Sequence, residues 1–272
     1  MCDSEPMDID GSVVIVTGGG SGIGRALAMA FAGAGARVVV GDLDEDGAAQ
    51  TVREIRYAGG QAAGMRADAA DSDGIEALLA LAAQKFAPVD IYVANAGVMG
   101  VSGIGEESDW DRIIDVNLRA HIRAARLLMP SWKARGSGYF VSVASAAGLL
   151  TQIGAAGYAV TKHAAVGLAE WLALTYGDDG IGVSCVCPLG VDTALLDAVR
   201  ANADPAARRG AESILRWGDV ITPEQVADAT LDAVRNGRFL VLPHPQVLDM
   251  YRGKGSDYDR WIGGMQRYQR SL

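Results

Sequence analysis

The chain has 272 residues and a formal net charge of −9; half of its residues are hydrophobic and about a fifth are charged. That length buries a substantial core in one large domain or two small ones. The acidic balance favours solubility and leaves no basic stripe for a nucleic-acid backbone, and no run of roughly 18 apolar residues predicts a transmembrane helix.

The first ten residues, MCDSEPMDID, are acidic, have no apolar core and do not read as a secretory signal. A cytoplasmic location is the expectation. The three cysteines, Cys2, Cys185 and Cys187, fit a reducing compartment because their number is odd and their spacing builds no disulfide framework.

The first apolar run, Val13–Val16, predicts a buried strand, and TGGGSGIGRA at 17–26 follows it and opens a helix over Arg25–Ala34. Glycine serves where backbone must bend sharply or approach something closely. Strand, glycine turn and helix N-terminus together suit a pyrophosphate, which the unpaired N–H groups and the helix dipole attract. A second strand, Arg37–Val40, runs into Gly41 and Asp42, 18 residues beyond Gly24. A carboxylate at that spacing accepts hydrogen bonds from an adenosine ribose and repels a 2′-phosphate. Ser21 and Leu43, the two positions that could meet such a phosphate, are not basic, so NAD is expected over NADP.

Further along, strands are predicted at Gly64–Ala67, Ile91–Ala94, Tyr139–Val143, Gly182–Val186 and Phe239–Leu242. Helical stripes fall between them at Gly47–Ala58, Asp73–Phe86, Asp109–Arg135, Ala155–Tyr176 and Pro223–Asn236. The alternation predicts a single α/β domain: a Rossmann-like, doubly wound parallel sheet of about seven strands with helices on both faces. Near-continuous apolar strands agree with a sheet covered on both sides. Two segments stand outside the alternation, an insertion at Thr193–Val220 and a tail over 243–272.

Tyr158 and Lys162 are four residues apart in a helical stripe and share a face. A neighbouring ammonium favours the phenolate over a phenol whose ordinary pKa is near 10, so Tyr158 is a candidate general acid and base. Ser145 lies just past the fifth strand, where open α/β sheets bind ligands. Cys185 and Cys187 point to one face of the sixth strand and read as core residues, and the scattered His121, His163 and His244 offer no metal-ligand spacing. No metal is expected.

TGGGSGIG at 17–24, Asp68 after the third strand, Asn95-Ala96-Gly97 after the fourth, Asn117 in DVNL, Ser145 thirteen residues before the YAVTK that begins at Tyr158, and Pro188 and Thr193 after the sixth strand stand in one order. In these motifs the chain resembles the short-chain dehydrogenase/reductase family over most of its length. The resemblance implies a catalytic set of Asn117, Ser145, Tyr158 and Lys162, with Ser145 holding the substrate oxygen, Tyr158 moving the proton and Asn117 distorting its helix and holding a water that leads to the lysine. It implies cofactor contacts from Gly18, Ser21, Gly22, Ile23 and Gly24, from Asp42, Leu43, Asp68 and Ala69, from Asn95, Ala96 and Gly97, and from Tyr158, Lys162, Pro188, Val191 and Thr193. Where the family commonly has Pro-Gly, this chain has Pro188-Leu189-Gly190, which puts the geometry of that turn in question.

Substrate choice is expected in the loops after strands four to six, where Met99, Leu149, Ile153, Leu189 and Leu195 join Ser145 and are apolar. With 193–220 read as a lid, they favour a hydrophobic secondary alcohol or ketone. A sugar or polyol dehydrogenase of the same family and a catalytically silent nucleotide-binding scaffold are the alternatives. In the tail, Tyr258, Trp261, Met265 and Tyr268 form a helical stripe interrupted by Gly263 and Gly264, suited to packing on the core, on a neighbouring subunit or over the active site. By resemblance the chain is expected to be a homotetramer or a homodimer.

Overall fold

The apolar runs and helical stripes fold in the order they occupy in the chain in the computed structural model, which describes residues 6–272. Cys2 and the start of MCDSEPMDID lie outside the described residues. The first half comprises β1 (Val13–Thr17), α1 (Gly22–Gly33), β2 (Arg37–Asp42), α2 (Glu45–Tyr57), β3 (Gln61–Arg66), α3 (Ser72–Lys85) and β4 (Ile91–Ala94). It is followed by α4 (Glu107–Ile114), α5 (Ala120–Arg135), β5 (Gly138–Val143), α6 (Ala147–Leu150), α7 (Ala156–Tyr176) and β6 (Ile181–Val186). Then come α8 (Ala194–Ala201), α9 (Pro205–Trp217), α10 (Pro223–Arg235) and β7 (Leu240–Val241), and α11 (Gln246–Ser256) and α12 (Tyr258–Ser271) end the chain.

All seven strands pair in parallel, in the order β3-β2-β1-β4-β5-β6-β7. Side chains alternate across the sheet, so β1 sends Val13 and Ile15 to one face and Val14 and Val16 to the other. The first face packs on α3, α5 and α7, the second on α1, α2 and α10. Each fully buried Val or Ile of this kind contributes about 1.5–3 kcal/mol. Cys185 and Cys187 lie buried in the first layer as free thiols with Sγ atoms 3.8 Å apart, as their same-face spacing required.

Several element boundaries differ from the sequence reading. β3 begins at Gln61 rather than Gly64. It is an edge strand whose ladder with β2 runs the full length from Gln61 to Arg66, yet Gln61, Gly64 and Arg66 are exposed, so no continuous apolar run marks it. β7 is only two residues long. The helical stripe over Asp109–Arg135 is broken into α4 and α5 by a π-helical turn at Asp115–Arg119 centred on Asn117, the distortion that the resemblance implied there.

The chain order reverses between β1 and β4, and the crevice outside their carboxyl ends is where such sheets bind ligands.

Candidate active site

β1 ends in the glycine turn, and three glycines there are required by geometry. Gly18 and Gly22 have φ of 62° and 49°, values that side chains strongly disfavour. A Cβ on Gly24 would collide with the Gly18 carbonyl oxygen and with Asn95 Nδ2. The N-terminus of α1 therefore packs tightly against the turn. Its N-cap Ser21 makes no side-chain capping bond and the first turn holds no acid, which leaves N–H groups for a ligand.

The neighbouring strand ends brace this turn. Asp42 accepts hydrogen bonds from Gly20 N at 2.8 Å and Asp44 N at 3.0 Å, which fixes its carboxylate at the end of β2. Asn95 donates through Nδ2 to Thr17 O at 2.9 Å and Gly18 O at 3.2 Å, tying β4 to the glycine turn. Asp68 accepts from Ala70 N at 2.8 Å. The charge, the donors and the close backbone approach fit a dinucleotide.

A cleft of about 350 Å³ runs along these strand ends. Gly18, Ser21, Gly22, Ile23 and Gly24 line one end, with Asp42, Leu43, Asp68 and Ala69 beside them. Asn95, Ala96 and Gly97 line the middle, with Pro188, Val191 and Thr193 across from them on the loop that follows β6. Thr193 also caps α8, accepting from Leu196 N at 3.4 Å. Leu189 occupies its place without a positive φ, and its N–H donates to His244 Nδ1 at 3.1 Å. The substitution of Leu for Gly therefore costs the turn no strain.

Ser145, Tyr158 and Lys162 meet in the same cleft. Ser145 is buried and its Oγ accepts from Ala147 N at 3.1 Å, which orients the hydroxyl at the start of α6. Lys162 reaches under β5 to donate to Val143 O at 3.0 Å, and its Nζ lies 5.7 Å from the Tyr158 ring centroid. Gly97 lies beside it: a Cβ there would stand 3.5 Å from Nζ, at ordinary van der Waals contact.

Burial adds to the electrostatics what residue spacing does not report. The spacing predicts an ammonium that lowers the phenol, but burial pushes Tyr158 above its usual value, with the Ser145 hydroxyl opposing and Cys187 adding to the rise. Burial also pushes Lys162 down to about 8, against the pull of Cys187 and Cys185. Desolvation prevails for both groups because they sit in the floor of the cleft, away from bulk water.

Asn117 does not line the cleft. It is fully buried behind it, where Oδ1 accepts from Val98 N at 2.8 Å and Nδ2 donates to Val98 O at 2.8 Å and to Thr161 Oγ1 at 3.2 Å. Three bonds from one amide make the break between α4 and α5 the anchor of the loop after β4. Five of the six expected substrate-side residues, Ser145, Met99, Ile153, Leu189 and Leu195, line the cleft. Leu149 does not. Both Leu149 and Leu150 are buried in the α5/α7 core layer, and of the two only Leu150 also lines the cleft. In a one-turn helix the two leucines point about 100° apart, so one can border the cleft while the other does not.

Other lining residues carried no sequence signal, among them Arg112, Val116, Thr151 and Gln152. Thr151, at φ 107°, is the single non-glycine residue with positive φ among the described residues, a strained conformation that ends α6 at the cleft wall.

A family model for short chain dehydrogenases matches residues 12–204, and it spans every element that brings these side chains together. The chain belongs to the short-chain dehydrogenase/reductase family. It is 36% identical to 3beta-hydroxysteroid dehydrogenase 1 of Eggerthella lenta over 226 residues, 82% of this chain and 86% of that one. It is 35% identical to cyclohexanol dehydrogenase of an Acinetobacter species over 240 residues, 87% and 93% of the two chains. A solved short-chain dehydrogenase/reductase from Burkholderia phymatum in complex with NAD superposes with a TM-score of 0.84 at 31% identity, covering 93% of this chain and 96% of that one. The chain is accordingly an oxidoreductase of the alcohol dehydrogenase type, acting on a CH–OH group.

Proposed function

We propose that the protein interconverts a ring-bearing, apolar secondary alcohol and its ketone with NAD(H), using Tyr158 as the acid and base. The observation that carries this reading is the meeting of Ser145, Tyr158 and Lys162 in one cleft with the glycine turn and Asp42. Bound nicotinamide supplies the hydride acceptor or donor. Ser145 Oγ, held by Ala147 N, donates to the substrate oxygen. Tyr158, kept protonated by burial, is set to give its proton to a ketone oxygen, and takes one back from an alcohol when a positive charge stands beside it. Lys162 holds the floor of the site through Val143 O and supplies positive charge beneath the phenol. Asn117 fixes the loop carrying Val98 and Met99.

The apolar wall made by Met99, Leu150, Ile153, Leu189 and Leu195 supports an uncharged ring, and the relatives named for hydroxysteroid and cyclohexanol substrates agree with it. The two-helix segment α8–α9 serves as the lid over that wall. NAD is favoured because the Asp42 carboxylate at the end of β2 lines the cleft and would repel a 2′-phosphate, and the adjacent Leu43 is uncharged. On α7, Val160, Trp171 and Leu174 are 53%, 54% and 80% exposed. This apolar stripe suits a second copy of the chain and supports the oligomer expected by resemblance.

The deciding experiment is NADH formation from NAD with cyclic secondary alcohols, run beside Tyr158→Phe. Turnover lost in a variant that still binds NADH supports the reading. Turnover retained in Tyr158→Phe removes the tyrosine from the mechanism, and NADH binding with no turnover on any alcohol favours the scaffold alternative.

A further inference from the structure

The tail contacts three separate pieces of the substrate end of the cleft. Just before α11, the buried His244 accepts from Leu189 N through Nδ1, so its other nitrogen carries the proton and donates to Gly190 O and Asp219 O, both at 3.2 Å. One imidazole thereby joins the turn after β6 to the end of the lid. From α11, the buried ammonium of Lys254 donates to Leu149 O at 2.7 Å and to His163 Nε2 at 3.4 Å, and its third direction meets the Tyr258 ring at 5.4 Å. This holds α6 from beneath, at the turn where Leu150 rather than Leu149 faces the cleft.

From α12, Trp261 and Tyr268 close on Trp217, the last residue of α9. Tyr268 stacks on Trp217 with ring centroids 5.5 Å apart, and Trp261 meets it edge-on at 6.2 Å. Tyr268 Oη donates to Ser213 O at 3.2 Å, and Arg216 reaches Ser271 O at 3.3 Å. Ser213, Ile214 and Trp217 themselves line the cleft. Trp217 thus touches both the tail and the cleft.

We infer that Trp217 is a specificity-determining residue, the end wall that limits ring size, and that Trp261, Tyr268 and Lys254 are positioning residues through which the C-terminal helices hold that wall and α6 in place. The inference rests on the proposed ring-alcohol reading for its substrate, while the mechanical part stands on the contacts alone. A lid helix with free rotation could not set a size limit. One whose terminal indole is stacked on one side and met at its edge on another has lost that freedom.

The test uses the full chain with Trp217→Ala, Trp261→Ala, Tyr268→Ala and Lys254→Met, and reads amide hydrogen exchange, NADH affinity by fluorescence, and kcat/KM for cyclohexanol and for a fused four-ring 3-hydroxysteroid. Expected are exchange at least tenfold faster over 205–217 in the Trp261 and Tyr268 variants, faster exchange over 147–150 in Lys254→Met, and NADH affinity within twofold of the parent. Trp217→Ala shifts the ratio of kcat/KM at least tenfold toward the larger alcohol, and Trp261→Ala and Tyr268→Ala shift it in the same direction. Unchanged exchange over 205–217 overturns the clamp. An unchanged ratio in Trp217→Ala overturns the wall. If the parent turns over neither alcohol, the ring-alcohol reading and the wall fail together, and the exchange data still decide the clamp.

Discussion

Asp42 offers the sharpest test of cofactor choice. Its carboxylate is held by the Gly20 and Asp44 N–H groups and lines the cleft, and under the proposed NAD reading its remaining lone pairs would accept from the ribose hydroxyls. Two hydrogen bonds to a charged acceptor are worth about 1.5–3 kcal/mol each when buried. Asp42 is half-buried, so the pair together is worth about 1.5–3 kcal/mol, or a 10- to 100-fold loss of kcat/KM for NAD in Asp42→Ala. A 2′-phosphate about 4 Å away meets roughly 4 kcal/mol of repulsion per unit charge at an effective dielectric of about 20, reduced by salt. Removing the carboxylate raises kcat/KM for NADP at least tenfold. The NAD/NADP ratio therefore falls by about 10²–10³, read from initial rates with each cofactor at fixed alcohol. Asp42→Asn separates charge from hydrogen bonding: it relieves the repulsion and keeps one acceptor. A thermal melt controls for the lost braces to Gly20 and Asp44. If neither variant moves the ratio by more than twofold, Asp42 does not read the ribose and the reasoning fails.

Asn117→Ala strands the Val98 N–H and C=O and loses the Thr161 bond. Urea unfolding should show a loss of about 2–4 kcal/mol, with kcat reduced in the folded variant; a midpoint unchanged from the parent would contradict this account. Gly24→Ala drives a methyl into the Gly18 carbonyl and should abolish NADH binding, whereas Gly33→Ala in the same helix meets nothing within 4 Å and should leave affinity unchanged while adding up to about 1 kcal/mol of stability. His121 is pushed down to about 3 by burial and by the nearby Lys162 charge. Its folded pKa lies below the unfolded value of about 6.5, so the unfolded chain takes up the proton first as the pH falls. The stabilisation is complete above 6.5 and is lost toward 3, about 1.4 kcal/mol of it by pH 5.5. His244, also lowered by burial, adds in the same direction. In urea titrations at pH 7.5 and 5.5, His121→Asn should lose less stability on acidification than the parent, and an equal loss in both would remove His121 as the cause.

Much of this protein was legible in its sequence because the signals are local. Burial on both faces makes a parallel strand apolar throughout, so β1, β4, β5 and β6 stand out as runs. A glycine turn between strand and helix, an acid at the end of β2 and a Tyr–Lys pair at helical spacing are each written within a few residues of one another, and the order of these motifs carried the family. β3 was blurred because an edge strand is covered on fewer sides and need not be apolar.

Tertiary structure decided what depends on partners far along the chain. Leu149 and Leu150 are interchangeable in sequence and both join the core, and only the fold shows that Leu150 also borders the cleft. The break at Asn117 exists because an amide in the helix is captured by Val98, 19 residues upstream. The upward push of burial on Tyr158 is absent from the sequence because spacing reports a neighbouring charge but not the water that folding removes. The aromatic stripe of α12 reads as a packing surface in sequence, and only the fold shows that its partner is Trp217 at the wall of the cleft. Periodicity and motif spacing act through the backbone and are written locally, whereas desolvation and side-chain partnership arise between segments that the chain brings together only when it folds.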